Sequence, residues 1–267
     1  MTSKFSPNSN SDATKFCSEH PVDEPNDYEG AYSGTIHRQG TGAWCLQYRF
    51  DYFDGTVDHR EDDQPGENDE ACESGDSDES DAAGVIRVNT TDNCKQCCLM
   101  SDLPFIAGKY GIQKSAGVYY EVKIKEMGGI IALGTACRPA PQGRLPGFDR
   151  LSAALHLDDL CTYYENPQSG QKYAIGISRI AEGDVVGCGY HFSTGALFFT
   201  YNGVRLPDAF TGIYFPHGKV DVFAAIGMQG SNNLEVNFGY EPFKWAEGNG
   251  AEWKVDTHLK NGLTGQH

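Results

Sequence analysis

The 267-residue chain contains no run of 18 or more apolar residues, so no segment has the length and apolarity to cross a membrane as a helix. Its opening residues, MTSKFSPNSNSDATK, lack an apolar h-region, and no secretory signal is expected. On that basis the nine cysteines read as reduced thiols in a cytoplasmic protein. Positive charge is scarce: 21 Lys and Arg stand against 37 Asp and Glu, a net charge of −16. That balance argues against nucleic acid as a partner. Much of the excess sits in Glu61–Asp81, which holds eleven acids and no Lys or Arg. A self-repelling segment without core-forming residues is predicted to stay disordered.

What the chain does have is glycine, aromatics and period-two alternation, which favour many short strands. The stretch Gly183–Gly203, GDVVGCGYHFSTGALFFTYNG, holds two apolar runs around a short polar break. Val186, Cys188, Tyr190 and Phe192 alternate with Val185, Gly187 and Gly189; Leu197, Phe199 and Tyr201 alternate with Ala196, Phe198 and Thr200. This pattern predicts a buried antiparallel pair, and Asn202-Gly203 is a strong two-residue hairpin signal. Val118, Tyr120, Val122 and Ile124 alternate with Tyr119, Glu121, Lys123 and Lys125, predicting a strand with one solvent-facing side. Further strands are expected at Gly129–Gly134, Ala153–Leu157, Cys161–Tyr164, Asp221–Met228 and Asn233–Phe238, with Asp158-Asp159 as a turn. Arg138–Arg150, rich in Pro and Gly, is predicted to be a long ordered loop. No amphipathic helix of any length is convincing. The fold class is therefore all-β, an antiparallel β-sandwich.

Toward the N-terminus, residues 1–30 are polar and read as a disordered tail. Trp44, Leu46, Tyr48, Phe50 and Tyr52 alternate with Cys45, Gln47, Arg49 and Asp51, so residues 31–60 form an extension whose strand is expected to join the later sheet. Residues 61–84 are then an acidic insertion, 85–246 the main domain, and 247–267 a C-terminal tail.

Catalytic chemistry finds few tools here. Glycosidases of the jelly-roll type pair carboxylates across the scissile bond, but Glu121 with Glu126, or Glu235 alone, does not make the i, i+4 pair. Cys188, beside His191, shares its face with core residues and is expected to be buried rather than nucleophilic. Cys94, Cys97 and Cys98 form a C-x-x-C-C cluster, yet zinc takes four ligands and no H-x-x-x-H pair completes the set. The cluster reads as free thiols. No catalytic residue, metal or cofactor is expected.

Three motifs occur in order: Gly117–Ile124, Gly183–Gly203 and Asn233–Gly239. They resemble the G-V-Y-Y-F-E-V-K-I opening strand (one aromatic missing here), the G-D-V-V-G-x-G…F-F-T-x-N-G core and the V-x-V-N-F-G closing strand of SPRY (B30.2) domains. That resemblance covers about Val85–Trp245 and implies a concanavalin A-like jelly roll that binds a short peptide of a protein partner without catalysis. Arg144-Leu145-Pro146-Gly147-Phe148 with Ser152–Asp159 is similar to fungal membrane-anchored SPRY adaptors of a HECT-type ubiquitin ligase. This implies substrate recognition for ubiquitin ligation or membrane-protein sorting, peripheral to endosomal or vacuolar membranes. The adaptors use P-P-x-Y or L-P-x-Y motifs, and neither is present in this sequence. A scaffold of the Ran-binding protein M type is the alternative within the family, and a carbohydrate-binding or glycosidic sandwich the alternative outside it.

Recognition in such domains sits on loops held by the rigid sandwich. The partner-binding residues expected on that rule are Arg138, Arg144 and Phe148 in the Pro-rich loop, and Asp158, Asp159, Tyr163 and Tyr164 at the next hairpin. Tyr201 and Asn202 join them from the central turn.

Overall fold

The computed structural model describes residues 7–28, 32–48, 52–58, 84–109, 115–141, 143–173 and 176–264; the acidic insertion and Arg49–Asp51 lie outside them. In chain order the strands are β1 Leu46–Gln47, β2 Gly55–Asp58, β3 Ile86–Thr90, β4 Cys97–Ser101, β5 Gly117–Met127, β6 Ile130–Cys137 and β7 Ser152–His156. They continue as β8 Cys161–Tyr164, β9 Gln171–Lys172, β10 Val185–His191, β11 Ala196–Tyr201, β12 Val204–Phe210, β13 Val222–Gln229 and β14 Asn232–Asn237. Three α-helices, α1 Pro7–Glu19, α2 Ser33–Gln39 and α3 Thr257–Thr264, flank them.

The described strands make two seven-stranded antiparallel sheets, ordered β1-β4-β13-β6-β7-β8-β9 and β12-β11-β10-β5-β14-β3-β2. The main core lies between them. Its residues are the ones alternation selects: Val118, Tyr120, Val122 and Ile124 from β5, Val186, Cys188 and Tyr190 from β10, and Leu197 and Phe199 from β11. Tyr120 bridges the layers, donating its hydroxyl to the Gly134 carbonyl at 2.8 Å and accepting from the Gly134 N–H at 3.1 Å. β10 pairs with β11 from Val186↔Tyr201 to His191↔Ala196. Asn202 and Gly203 then close the next hairpin, with φ of 50° and 82°. Two positive φ angles in succession match the right-handed strand twist, which is why Asn-Gly occupies this turn.

The solvent-facing side expected of β5 is present at Lys123 and Lys125, which are exposed and half-exposed, but not at Tyr119 and Glu121. Tyr119 is fully buried and Glu121 nearly so. The segment after β14 folds back over the second sheet, so Phe243, Trp245 and Trp253 pack on Tyr119 and Phe198 in a second apolar cluster. Glu121 caps this segment, accepting the Lys244 N–H at 2.9 Å and the Tyr119 hydroxyl at 3.1 Å. The glycines of the GDVVGCGY run make room for it. A Cβ on Gly187 would fall 1.9 Å from the Tyr119 hydroxyl, and one on Gly189 would fall 2.3 Å from the Phe198 ring.

Both chain ends depart from expectation as well. Pro7–Glu19 is helical, and Tyr28 is buried with its hydroxyl donated to Asp221 at 2.8 Å, so the described part of residues 1–30 is packed structure, not a disordered tail. Within 247–267, Trp253, Val255, His258 and Leu259 are buried, and Thr257–Thr264 is helical. Isolated apolar residues in polar stretches give no periodic signal, although each finds a seat on the sandwich. Of the strand expected over Trp44–Tyr52, Leu46–Gln47 pairs with β4, while Cys45 turns its N–H to the Asp102 carboxylate at 2.8 Å; Arg49–Asp51 lie outside the described residues.

Candidate functional site

The loop that joins β6 to β7, residues 138–151, organises the outer face of the first sheet. Rather than standing at one end of the sandwich, it runs back along that face. A Cβ on Gly227 of β13 would meet Pro146 at 2.4 Å and Leu145 at 2.9 Å, so a glycine there lets the loop lie flat. Arg144 and Phe148 are consequently buried, with 5% and 4% of their surface exposed. The Arg144 Nε donates to Asp149 at 3.0 Å and its Nη2 to the Phe148 carbonyl at 3.4 Å. Phe148 packs on His156 and Tyr163, with ring centroids 4.7 and 5.2 Å apart. These two residues hold the loop onto its own domain, which corrects the expectation that they face a partner.

The remaining expected positions scatter. Asp159 accepts the Tyr163 hydroxyl at 2.7 Å and the Cys161 N–H at 2.8 Å, tying the β7–β8 hairpin, while Asp158 is exposed beside it. Tyr164 faces Phe210 across the sandwich edge at 5.6 Å. Tyr201 and Asn202 lie on the second sheet and both donate to Asp184, at 2.9 and 2.8 Å. Phe148, Asp159 and Tyr163 thus come together around His156, but the nine positions do not form one surface.

Arg138 is different. It stands at the wall of a cleft of about 690 Å³ between residues 46–48 and 52–53, β4 and the start of the loop, with Asp23, Tyr48, Phe53, Met100 and Pro139 among its lining. Its Nη2 donates to the Ser101 carbonyl at 2.6 Å, and its guanidinium lies 4.1 Å over the Phe223 ring. Burial works against its charge, and the nearby Asp102 and Asp23 carboxylates partly offset that. Among the described residues no carboxylate is within ion-pair distance of it. A guanidinium carries five N–H donors, so a half-buried one that serves a single carbonyl retains capacity for an oxygen-bearing ligand. Sequence reasoning missed Tyr48 and Phe53, whose rings meet at 4.3 Å. The alternation around Trp44 put Tyr48 on an apolar face, but nothing local said that this face opens toward Arg138.

A second groove of about 770 Å³ separates α1 from the loop, with Lys15, Arg144, Arg150 and Asn166 on its walls. Arg150 donates to the Cys17 and His20 carbonyls, so a cation caps the last turn of α1.

His156, beneath the loop, donates its Nε2 proton to the Pro146 carbonyl at 2.9 Å, and burial pulls its imidazole down to about 4. Burial takes His258, which accepts the Ala107 N–H at 3.2 Å, down to about 3. In the unfolded chain both take up protons near pH 6.5. The unfolded state then binds more protons below that value, and stability falls as pH drops from 7 toward 4. Each histidine is expected to cost roughly 2 kcal/mol of stability between pH 7.5 and 5. Glu121 and Asp149, raised by burial, act in the opposite sense and limit the loss at the acid end. Urea unfolding across this range checks the slope, which should flatten in His156→Gln.

Comparison with known proteins bears on this arrangement. Residues 117–241 match the family model described as SPRY domain. The chain is 35% identical over 161 residues to Protein ssh4 of Sclerotinia sclerotiorum, covering 59% of this chain and 28% of that protein. It is 34% identical over 149 residues to the Ran-binding proteins 9/10 homolog of Drosophila melanogaster, covering 54% and 15%. Among solved structures, a human SPRY domain superposes with a TM-score of 0.45 at 24% identity, covering 57% of this chain and 90% of that one. The chain spans less than a third of the length of these curated relatives.

Proposed function

From the match of residues 117–241 to the SPRY domain model we propose that this chain is a protein-interaction module that binds a short peptide segment of a partner protein in the cleft beside Arg138. The peptide brings a carboxylate, from an acidic side chain or a chain end, to the guanidinium. An apolar side chain fills the space among Tyr48, Phe53 and Met100. The observation that carries the reading is the half-buried Arg138, stacked on Phe223 and bonded to one backbone carbonyl. The module acts by binding alone, without catalysis.

Selection of peptides from a random library on the purified chain tests this. Acidic residues next to an aromatic or aliphatic one should be enriched, and Arg138→Ala should weaken the selected peptide at least tenfold, about 1.4 kcal/mol or more. Arg138→Lys, which keeps the charge, should lose less, and Tyr201→Phe on the other sheet should bind unchanged. Equal affinity of wild type and a folded Arg138→Ala would place the binding surface elsewhere.

The similarity of the Arg144–Phe148 and Ser152–Asp159 stretches to fungal SPRY adaptors supports a further role, presentation of the bound protein for ubiquitin ligation or membrane-protein sorting. Co-purification followed by mass spectrometry separates the possibilities. A HECT-type ligase among the recovered proteins supports the adaptor role; its consistent absence alongside other stable partners supports a scaffold like that of the Ran-binding relatives.

A further inference from the structure

The run Cys94, Cys97, Cys98 takes no part in the reading above, and the fold separates its members. Cys94 and Cys97, which begins β4, both pack in the main core, whereas Cys98, one residue on, is half-buried on the outer face. Burial there pushes the Cys98 thiol up to about 12 and keeps it inert. Cys94 closes the turn that precedes β4. Its N–H donates to the Thr91 carbonyl at 3.0 Å, and its own carbonyl accepts the Gly230 N–H at 2.9 Å. This anchored turn holds the Cys94 Sγ 3.7 Å from the Cys97 Sγ. Among the described residues, no group of three or more His, Cys, Asp and Glu is arranged to hold a metal ion.

We propose that Cys94 and Cys97 are a reversible oxidation site, which closes to an intramolecular disulfide on reaction with a hydroperoxide. Cys94 is the attacking sulfur. The Cys97 thiol hydrogen-bonds it and draws it down to about 7, so a thiolate is present near neutral pH, while the same bond and burial keep Cys97 protonated. Cys94 is itself buried, with 3% of its surface exposed, but both flanking positions, Asn93 and Lys95, are exposed, so a small opening of the turn admits a hydroperoxide. The Cys94 thiolate attacks one peroxide oxygen; the S–O bond forms as the O–O bond breaks. The departing oxygen takes a proton to leave as water or an alcohol, and Cys94 is left as a sulfenic acid. The Cys97 sulfur then attacks the Cys94 sulfur, the S–S bond forms, and the hydroxyl leaves with the Cys97 proton as water. The two cysteines have given two electrons to the peroxide.

Closure moves two sulfurs that already touch, and a C-x-x-C pair encloses a very short loop, so the bond adds little stability and reverts with ordinary thiols. Its local effect is to remove the Cys97 S–H donor and the Cys94 thiolate that accepts from it. Cys97 donates to the Met228 carbonyl at 3.5 Å, and Cys94 reaches the Tyr52 carbonyl at 3.8 Å. Tyr52 belongs to the segment that walls the cleft. The oxidation site itself stands whether or not that cleft binds a peptide.

Hydrogen peroxide titration of the purified full chain tests the proposal, with free thiols then blocked by N-ethylmaleimide and the digest mapped by mass spectrometry. The expected product is a Cys94–Cys97 linked peptide, lighter by two hydrogens and restored by dithiothreitol. Cys97→Ser should stop at the sulfenic acid and label Cys94 with dimedone, whereas Cys94→Ser should leave Cys97 unmodified at the same dose. Oxidation of the half-exposed Cys17 or Cys45 while Cys94 and Cys97 remain alkylated would overturn it. So would disulfide formation of equal rate in Cys94→Ser.

Discussion

Arg144→Ala is expected to destabilise the folded chain by about 3–5 kcal/mol, the cost of stranding one partner of a buried ion pair. The Arg144 and Asp149 side chains are 6% and 12% exposed and meet at 3.0 Å. Burial raises the Asp149 carboxyl, and the Arg144 charge is what offsets it. Without the guanidinium, a carboxylate is left under the loop that covers the first sheet, and the Phe148 carbonyl loses a donor. Chemical denaturation of Arg144→Ala, Asp149→Asn and the double variant measures the effect; the double variant should recover part of the loss, because no charge remains stranded. The pH dependence supplies a further check. A carboxyl whose folded pKa lies above its unfolded value weakens the fold when ionised, and the penalty is relieved as pH falls through the folded pKa. The gap between Arg144→Ala and wild type should therefore narrow toward pH 5. A variant with wild-type stability that had lost a bound partner would return Arg144 to the binding surface.

The second large effect belongs to the other sheet. Phe198→Ala should cost about 3–5 kcal/mol, the range for truncating a fully buried aromatic. Phe198 has no exposed surface, lies 5.4 Å from the Trp245 ring and 5.7 Å from Trp253, and carries the Arg205 guanidinium 4.2 Å above it. The glycine at 189 leaves the space its ring fills, so an alanine leaves a void that the backbone cannot close. Both tryptophans sit on this ring, so their fluorescence should shift to the red as the segment over the sheet loosens. Phe198→Leu should lose less. Tyr240→Ala, at a half-exposed ring, should stay within about 0.5 kcal/mol of wild type. Equal loss at both sites would mean that the 243–253 segment adds no stability to the sandwich.

Both results turn on burial that remote parts of the chain supply, and that is where reading the sequence stops. Alternation over 118–124 and 185–201, with Asn-Gly after it, was enough to specify the central strands, their pairing and the residues that fill the space between the sheets. Those are consequences of local chemistry: a strand's side chains alternate, and only some residues accept a positive φ. The motif order pointed to the family whose model matches residues 117–241. Alternation divides a strand into two faces without saying what covers each. Tyr119 and Glu121 therefore looked solvent-facing until Trp245, nearly 130 positions away, folded over them. In the same way, whether an arginine in the 138–150 loop would be buried or available was undecidable from its neighbours. Arg144 and Arg138 sit six residues apart in one Pro- and Gly-rich run, yet Asp149 forms an ion pair with the first, while the second bonds a carbonyl and stacks on a ring brought to it by β4 and β13, with Asp102 and Asp23 acting on it from beyond ion-pair distance. Burial and charge pairing are sums over contacts that the folded chain alone assembles, so the tertiary structure decided which of the expected residues are buried and paired.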